Sequence, residues 1–214
     1  MAVSQVYVDP SIAGDSGAGT IGDPYGDLQY ALNQHTQTAG GDQFNIKAGT
    51  AEMLAAALTF ATYGTPTRNQ PIIFRGYTTA ANDGGIGVIN GGGNYSIYVA
   101  GGNSFSQWVD LRLTNVGNRQ LIDIGGFALM YHCEVDTGSN YGVNVSNYSR
   151  VLNCYIHDVA YGIAVQTSST LVMYNYIKNC ATYGIWLLVE SFKAINNIVE
   201  CNGSGQIGIY NDAS

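Results

Sequence analysis

Four residues of this 214-residue sequence, Asp110, Arg112, His132 and Glu134, have the types and spacing that could support chemistry. Asp110 precedes His132 by 22 positions, and Arg112 precedes Glu134 by the same interval. In a chain that winds with a period of that length, each pair becomes a pair of neighbours. A carboxylate orienting an imidazole is acid/base equipment. Glu134 and Asp136, two apart on one strand, offer a second possibility, because two carboxyls about 5–9 Å apart are what glycoside hydrolysis requires. The same residues also have a plainer reading. Side chains stacked on successive strands must not repel one another, so opposite charges pair across any sheet. The neighbouring column Asp136, His157, Lys178, Glu200 alternates in the same way and contains no nucleophile. Asp110, Arg112, His132 and Glu134 therefore stand as candidates, and no catalytic residue is assigned outright.

Ligand binding has its own candidates in Tyr98, Tyr155, Tyr176, Trp186 and Tyr210, aromatic residues at outward strand positions. Such rings can stack on a sugar or contact another protein. Tyr141, Tyr161 and Tyr183 share one corner of successive repeats and are read as covering the chain itself. There is no Gly-x-Ser-x-Gly elbow, P-loop or His-Glu-x-x-His motif, and the three histidines are too scattered for a zinc site. No metal and no cofactor is expected.

The elements that must position these groups follow from a repeat. Tyr141-Gly-Val-Asn-Val145 returns as Tyr161-Gly-Ile-Ala-Val165, Tyr183-Gly-Ile-Trp-Leu187 and, more loosely, Ile207-Gly-Ile-Tyr-Asn211. Backwards it continues as Gln120-Leu-Ile-Asp-Ile124 and Tyr95-Ser-Ile-Tyr-Val99. A period in the low twenties with strand-like motifs marks a solenoid. A second register aligns Asp110-Leu-Arg-Leu113, His132-Cys-Glu-Val135, Asn153-Cys-Tyr-Ile156, Tyr174-Asn-Tyr-Ile177 and Asn196-Asn-Ile-Val199. Strand side chains alternate sides. The column Leu113, Val135, Ile156, Ile177, Val199 is wholly apolar, so it and the column Leu111, Cys133, Cys154, Asn175, Asn197 must both point inward. Asn175 and Asn197 are then buried polar groups and are expected to bond as a ladder. The reading is an all-β parallel β-helix with two or three sheets, each coil about 4.8 Å above the last.

Composition limits the partners. Charged residues make up 11%, there are 28 glycines and 16 tyrosines, and the formal charge is −7. Eight Lys and Arg spread along the chain argue against nucleic acid as a partner. No apolar run of about 18 residues exists, so no membrane span is expected. The start, Met1 to Val8, has neither a basic n-region nor an apolar h-region, so no signal peptide is visible and synthesis in a cytoplasm is expected. The four cysteines are read as small buried hydrophobes.

In chain order, Val6-Tyr-Val8 reads as a strand, and Tyr25 to about Gln37 as an amphipathic helix stopped by Gly40-Gly41. Residues 1–40 form an N-terminal cap, and 41–214 form the coils, the last one incomplete. Gly41 to Gly49 gives a strand, Leu58-Thr-Phe60 is expected as a first-coil strand, and Pro71 to Gly76 is a continuous apolar strand. Taken in order, Tyr7-Val-Asp-Pro10, Asp23-Pro-Tyr25, the helix around Leu28 to Leu32, Gly41 to Gly49, Pro71-Ile-Ile-Phe-Arg-Gly76 and Val88-Ile-Asn-Gly91 resemble the right-handed parallel β-helix (pectin-lyase-like) superfamily.

That resemblance implies the fold and leaves function open, because the superfamily includes polysaccharide lyases, hydrolases, phage tailspikes and non-catalytic virion proteins. Its lyases are expected to hold a cation with acids clustered on an outward face and to remove a proton with a nearby Lys or Arg. Here the corresponding positions read Tyr98, Asp123, Asn144, Ala164, Trp186, Tyr210, so a lyase-type calcium site is not expected. The chain stops part-way through a coil, and open solenoid ends need cover. The leading expectation is a non-enzymatic structural or adhesive β-helix of a bacteriophage virion (capsid decoration, fibre or tailspike-like), assembled as a homo-oligomer or with other virion proteins. The alternative is a polysaccharide lyase, a glycoside hydrolase or a carbohydrate-binding module.

Overall fold

Apolar residues on alternate strand positions have to leave water together, and the chain achieves this by winding them around one axis. The structure is a computed structural model that describes residues 2–60, 63–93, 97–99, 105–116 and 122–212, without the side chains of 98, 99, 116 and 123. Its strands are stacked in parallel on three faces of a solenoid.

The first face is an eight-stranded parallel sheet that begins with Ser4–Val8, Asp42–Lys47 and Ile72–Tyr77. It continues through Ser106–Val109, Leu129–Tyr131, Arg150–Leu152 and Thr170–Met173 to Phe192–Ile195. Register places Val6, Phe44, Phe74, Trp108, Met130, Val151, Val172 and Ala194 in one inward file. Phe44, Phe74 and Trp108 are fully buried and stacked, with the Phe74 and Trp108 rings 4.4 Å apart. The sequence repeat does not reveal this face: its strands are three to six residues long, and its inward file mixes aromatic, thioether and β-branched residues. Ser4–Val8 forms the edge of this sheet, so the N-terminal segment is the first rung of the column as well as a cover for it.

The second face carries Ala51–Met53, Gly87–Asn90, Leu111–Val116, the first half of Glu134–Val145 and of Tyr155–Val165, then Tyr176–Lys178 and Ile198–Glu200. Ile89, Leu113, Val135, Ile156, Ile177 and Val199 form one interior file. All are fully buried except Val199, which is half-buried against the core. The third face carries Tyr98–Val99, Ile122–Ile124, the second halves of the two long strands, Tyr183–Leu187 and Ile207–Asn211. The first-coil strand lies at Ala51–Met53 and not at Leu58-Thr-Phe60. Leu58 alone of these three forms a β-bridge, and its N–H donates to the Ile97 carbonyl at 3.0 Å.

Corners are made by single residues in the left-handed region. Asp110, His132, Asn153, Tyr174 and Asn196 have φ between 52° and 59° and turn the chain from the first face to the second. Asn115, Thr137, Asp158 and Asn179 do the same past the second face, and Phe105, Phe127, Tyr148 and Ser169 before the first. For L-residues that conformation costs about 1–2 kcal/mol each, least for Asn and Asp. Asp110 and His132, read from sequence as strand positions, are therefore corner residues.

The recurrent Tyr-Gly pair also has a steric cause. A Cβ on Gly162 would lie 2.4 Å from the Gly184 carbonyl oxygen and 2.8 Å from Ile177. Gly142 and Gly184 meet the same obstruction from their own neighbours. Gly162→Ala is expected to lower unfolding free energy by about 1–3 kcal/mol, measured by chemical denaturation. A variant as stable as the parent would mean that the coils do not need that close approach.

The helix covers Leu28–Gln34, shorter than the sequence spacing suggests, and buries Leu28, Ala31 and Leu32. Asp27 caps it by accepting the Tyr30 N–H at 2.6 Å. The buried Glu52 accepts the Leu28 N–H at 3.1 Å, tying the helix to the second face. Among the described residues no helix is long and apolar enough to cross a membrane.

Candidate functional site

The second face and its corner gather the polar residues singled out above. Asp110 Oδ1 lies 2.7 Å from His132 Nδ1, and Arg75 Nε lies 3.7 Å from the other Asp110 oxygen. Arg112 Nε donates to Asp136 Oδ2 at 2.6 Å and lies 3.6 Å from Glu134 Oε1. Asp136 is fully buried and also accepts hydrogen bonds from Thr114 and, at 2.7 Å, Thr137. His157 faces two carboxylates, Glu134 at 3.1 Å through Nε2 and Asp158 at 2.7 Å through Nδ1. The sequence reading anticipates Asp110–His132 and Arg112–Glu134 as neighbours, and the strand register brings them together. It does not anticipate Arg75, Thr114, Thr137 or Asp158. Of these, Arg75 and Asp158 carried a readable signal, Arg75 as a charge one coil from Asp110 and Asp158 as a carboxylate next to His157 in the chain.

Protonation here follows pairing. Burial works against ionised Asp136, but the Arg112 guanidinium and the two threonine hydroxyls overcome it and hold the carboxyl below its ordinary range. Burial likewise opposes a charged His157, but its bonds to Asp158 and Glu134 prevail and raise its pKa. The result is a ladder in which carboxylates stand against a guanidinium and imidazole rings.

This ladder is poorly suited to glycoside hydrolysis. That reaction needs two carboxyls reaching a sugar from opposite sides, one of them protonated. Asp136 is sealed from solvent and ionised, and Arg112 bonds it on the side shared with Glu134. A divalent cation fits no better. Glu134, Asp136 and His157 present ligand atoms within 4.8 Å of one another, but Arg112 already occupies an Asp136 oxygen and both ring nitrogens of His157 are committed to carboxylates.

The five aromatic candidates do not form one platform. Tyr155 and Tyr176 stack on each other at 5.3 Å on the second face, with His157 4.2 Å beyond Tyr155. Trp186 leans across Ala164 to reach Tyr161 at 5.3 Å and Tyr141 at 5.9 Å, and Tyr210 stacks on Tyr183 at 4.5 Å. That cover explains why Asn144 and Ala164, read from sequence as outward-facing, are buried. The side chain of Tyr98 lies outside the described residues.

A concavity of about 1090 Å³ opens on the first face, where the sequence repeat gave no indication of one. Its floor is the outward file Gln107, Leu129, Arg150, Leu171, Lys193, and its wall is the corner file Phe105, Phe127, Tyr148. The residues occur as isolated Arg, Lys and aromatic positions in the sequence, and only the first-face register aligns them.

No protein-family model matches the chain, and no curated protein matches it in sequence. Among solved structures it is similar to the pectate lyase Pel9A, with a TM-score of 0.64 and 13% identity over 96% of this chain and 58% of that one. It is also similar to the GH136 lacto-N-biosidase from Eubacterium ramulus, with a TM-score of 0.51 and 15% identity over 85% of this chain and 42% of that one. The chain thus spans 58% and 42% of these two structures. At such identities the likeness is one of fold, the parallel β-helix.

Proposed function

We propose that this chain is a non-catalytic, adhesive β-helix whose ligand is a polysaccharide. The observation that carries the first half is the pairing of the polar ladder: Asp136 is buried and bonded by Arg112, so it is not free to act with Glu134 on a sugar. The second half rests on the open groove of the first face, a concave surface with polar and aromatic walls. Both structural neighbours are named as enzymes of glycan chemistry, which supports a polysaccharide as the kind of ligand this shape accommodates. A bacteriophage virion, as a decoration, fibre or tailspike-like module, is the setting we propose; low charge and a self-stacking architecture support it.

The test is a panel of neutral and acidic polysaccharides offered to the purified chain, read both for cleavage products and for retardation in affinity electrophoresis. Retardation by at least one glycan without product is the expected result. Turnover that disappears in Glu134→Gln or His132→Ala, with the fold intact by circular dichroism, would replace this reading with an enzymatic one.

A further inference from the structure

Charge is distributed unevenly around the column. The chain has eight Lys and Arg against fifteen Asp and Glu, yet Arg68, Arg150 and Lys193 all line the first-face groove and no acidic residue does. All three are exposed, and none forms an ion pair among the described residues. On the second face, by contrast, Arg112 and Lys178 are each matched to an acid. The three groove cations are therefore left for a partner, whereas Lys47 and Arg75 of the same sheet are matched to Asp9 and Asp110. Arg150 and Lys193 stand two strand spacings apart in one file, roughly 10 Å along the axis.

The aromatic wall points to the same charge. Phe105, Phe127 and Tyr148 stack on one another with centroids 4.9 Å apart and planes inclined by only 5° and 14°. Phe127 is covered on both faces and Phe105 and Tyr148 on one face each, so the stack turns mainly edges to the groove. Ring edges carry the positive end of the aromatic quadrupole. Edges favour anionic groups, whereas bases of single-stranded nucleic acid need free faces to stack on.

We propose that the first-face groove is a binding site for an acidic polysaccharide lying along the solenoid axis. Arg68, Arg150 and Lys193 meet its carboxylate or sulfate groups, and the ring edges of Phe127 and Tyr148 flank them. The assignment rests on the glycan-binding reading above and adds the class of glycan and the residues that select it.

Affinity electrophoresis of the whole chain against alginate, chondroitin sulfate, neutral dextran and single-stranded poly(dT) tests it. Alginate or chondroitin sulfate should retard the protein, with the effect weakening as salt is added, and the stronger of the two identifies carboxylate or sulfate as the recognised group. Arg150→Ala combined with Lys193→Ala should lose about tenfold or more in affinity, as expected for two charged contacts. Lys178→Ala on the second face should leave binding unchanged. Retention by dextran alone, or unchanged binding in the double variant, would overturn the acidic-ligand assignment while leaving the glycan reading in place. Retention by no polysaccharide would overturn both. Binding of poly(dT) in preference to the glycans would make nucleic acid the occupant and the assignment wrong.

Discussion

Asn175→Ala is expected to remove about 3–5 kcal/mol of unfolding free energy, a large part of what a domain of this size possesses. Asn175 is 1% exposed and holds three successive coils together. Its Oδ1 accepts the Cys154 N–H at 2.9 Å, and its Nδ2 donates to the Val151 carbonyl and to Asn197 Oδ1, both at 3.0 Å. Asn197 extends the arrangement by accepting the backbone N–H of Asn175 at 3.0 Å and donating to the Val172 carbonyl at 2.9 Å. Alanine leaves a buried N–H and a buried carbonyl without partners, each costing roughly 1–3 kcal/mol, and adds a small cavity. Chemical denaturation measures the loss. A change below about 1 kcal/mol would mean that water or backbone movement replaces the amide, and the ladder would then be dispensable.

A second large effect concerns pH. Burial raises the Glu52 carboxyl from 4.5 to about 7; the Leu28 N–H opposes the shift, and nearby Asp27 reinforces it. A carboxyl whose pKa is higher in the fold than in the unfolded chain binds its proton more tightly when folded. Its contribution to stability is therefore fully present below pH 4.5 and is lost as pH rises through about 7. The loss across that window is roughly 3 kcal/mol. Other groups tilt the curve too: raised His157 adds to the loss toward high pH, while lowered Asp9, Asp136 and Asp158 favour the fold once ionised. The comparison of parent with Glu52→Gln isolates the one carboxyl. Glutamine can still accept the Leu28 N–H, so the variant is expected to match the parent near about pH 5 and to exceed it near about pH 8, by roughly 3 kcal/mol. Parallel stability curves for the two proteins would show that Glu52 is not protonated in the fold.

Much of this architecture can be read from the chain because like residues must recur where coils stack. The interior file from Leu113 to Val199 and the Asn175–Asn197 ladder are both visible as columns in the sequence. So are the neighbours Asp110–His132 and Arg112–Glu134, since a register set by buried files fixes the polar ones beside them. The first face was not legible as part of the repeat. Its inward file runs from Val6 through Phe44, Phe74, Trp108 and Met130, and such changes of size erase any motif while still filling the column. At Asn144 and Ala164 strand alternation gives the outward direction correctly but cannot register that Trp186 folds back over them. The corners were half legible. Asn and Asp announce left-handed turns, but Phe127, Tyr148 and Tyr174 take the same conformation, and nothing in a single aromatic residue foretells that. The groove combines both blind spots, an unrecognised face and an aromatic corner.

The one-residue corners also determine how such a molecule can change length. His132 and Asn153 occupy the same corner one winding apart, so excising Cys133 to Asn153 would join His132 directly to Cys154. Every later side chain would keep its place in its file, whereas loss of a single residue would turn a strand's interior toward solvent. Growth and shrinkage in whole windings are therefore the conservative edits for this scaffold. The first-face groove lengthens or shortens with them, so the number of charged units it can span is counted in turns of the chain.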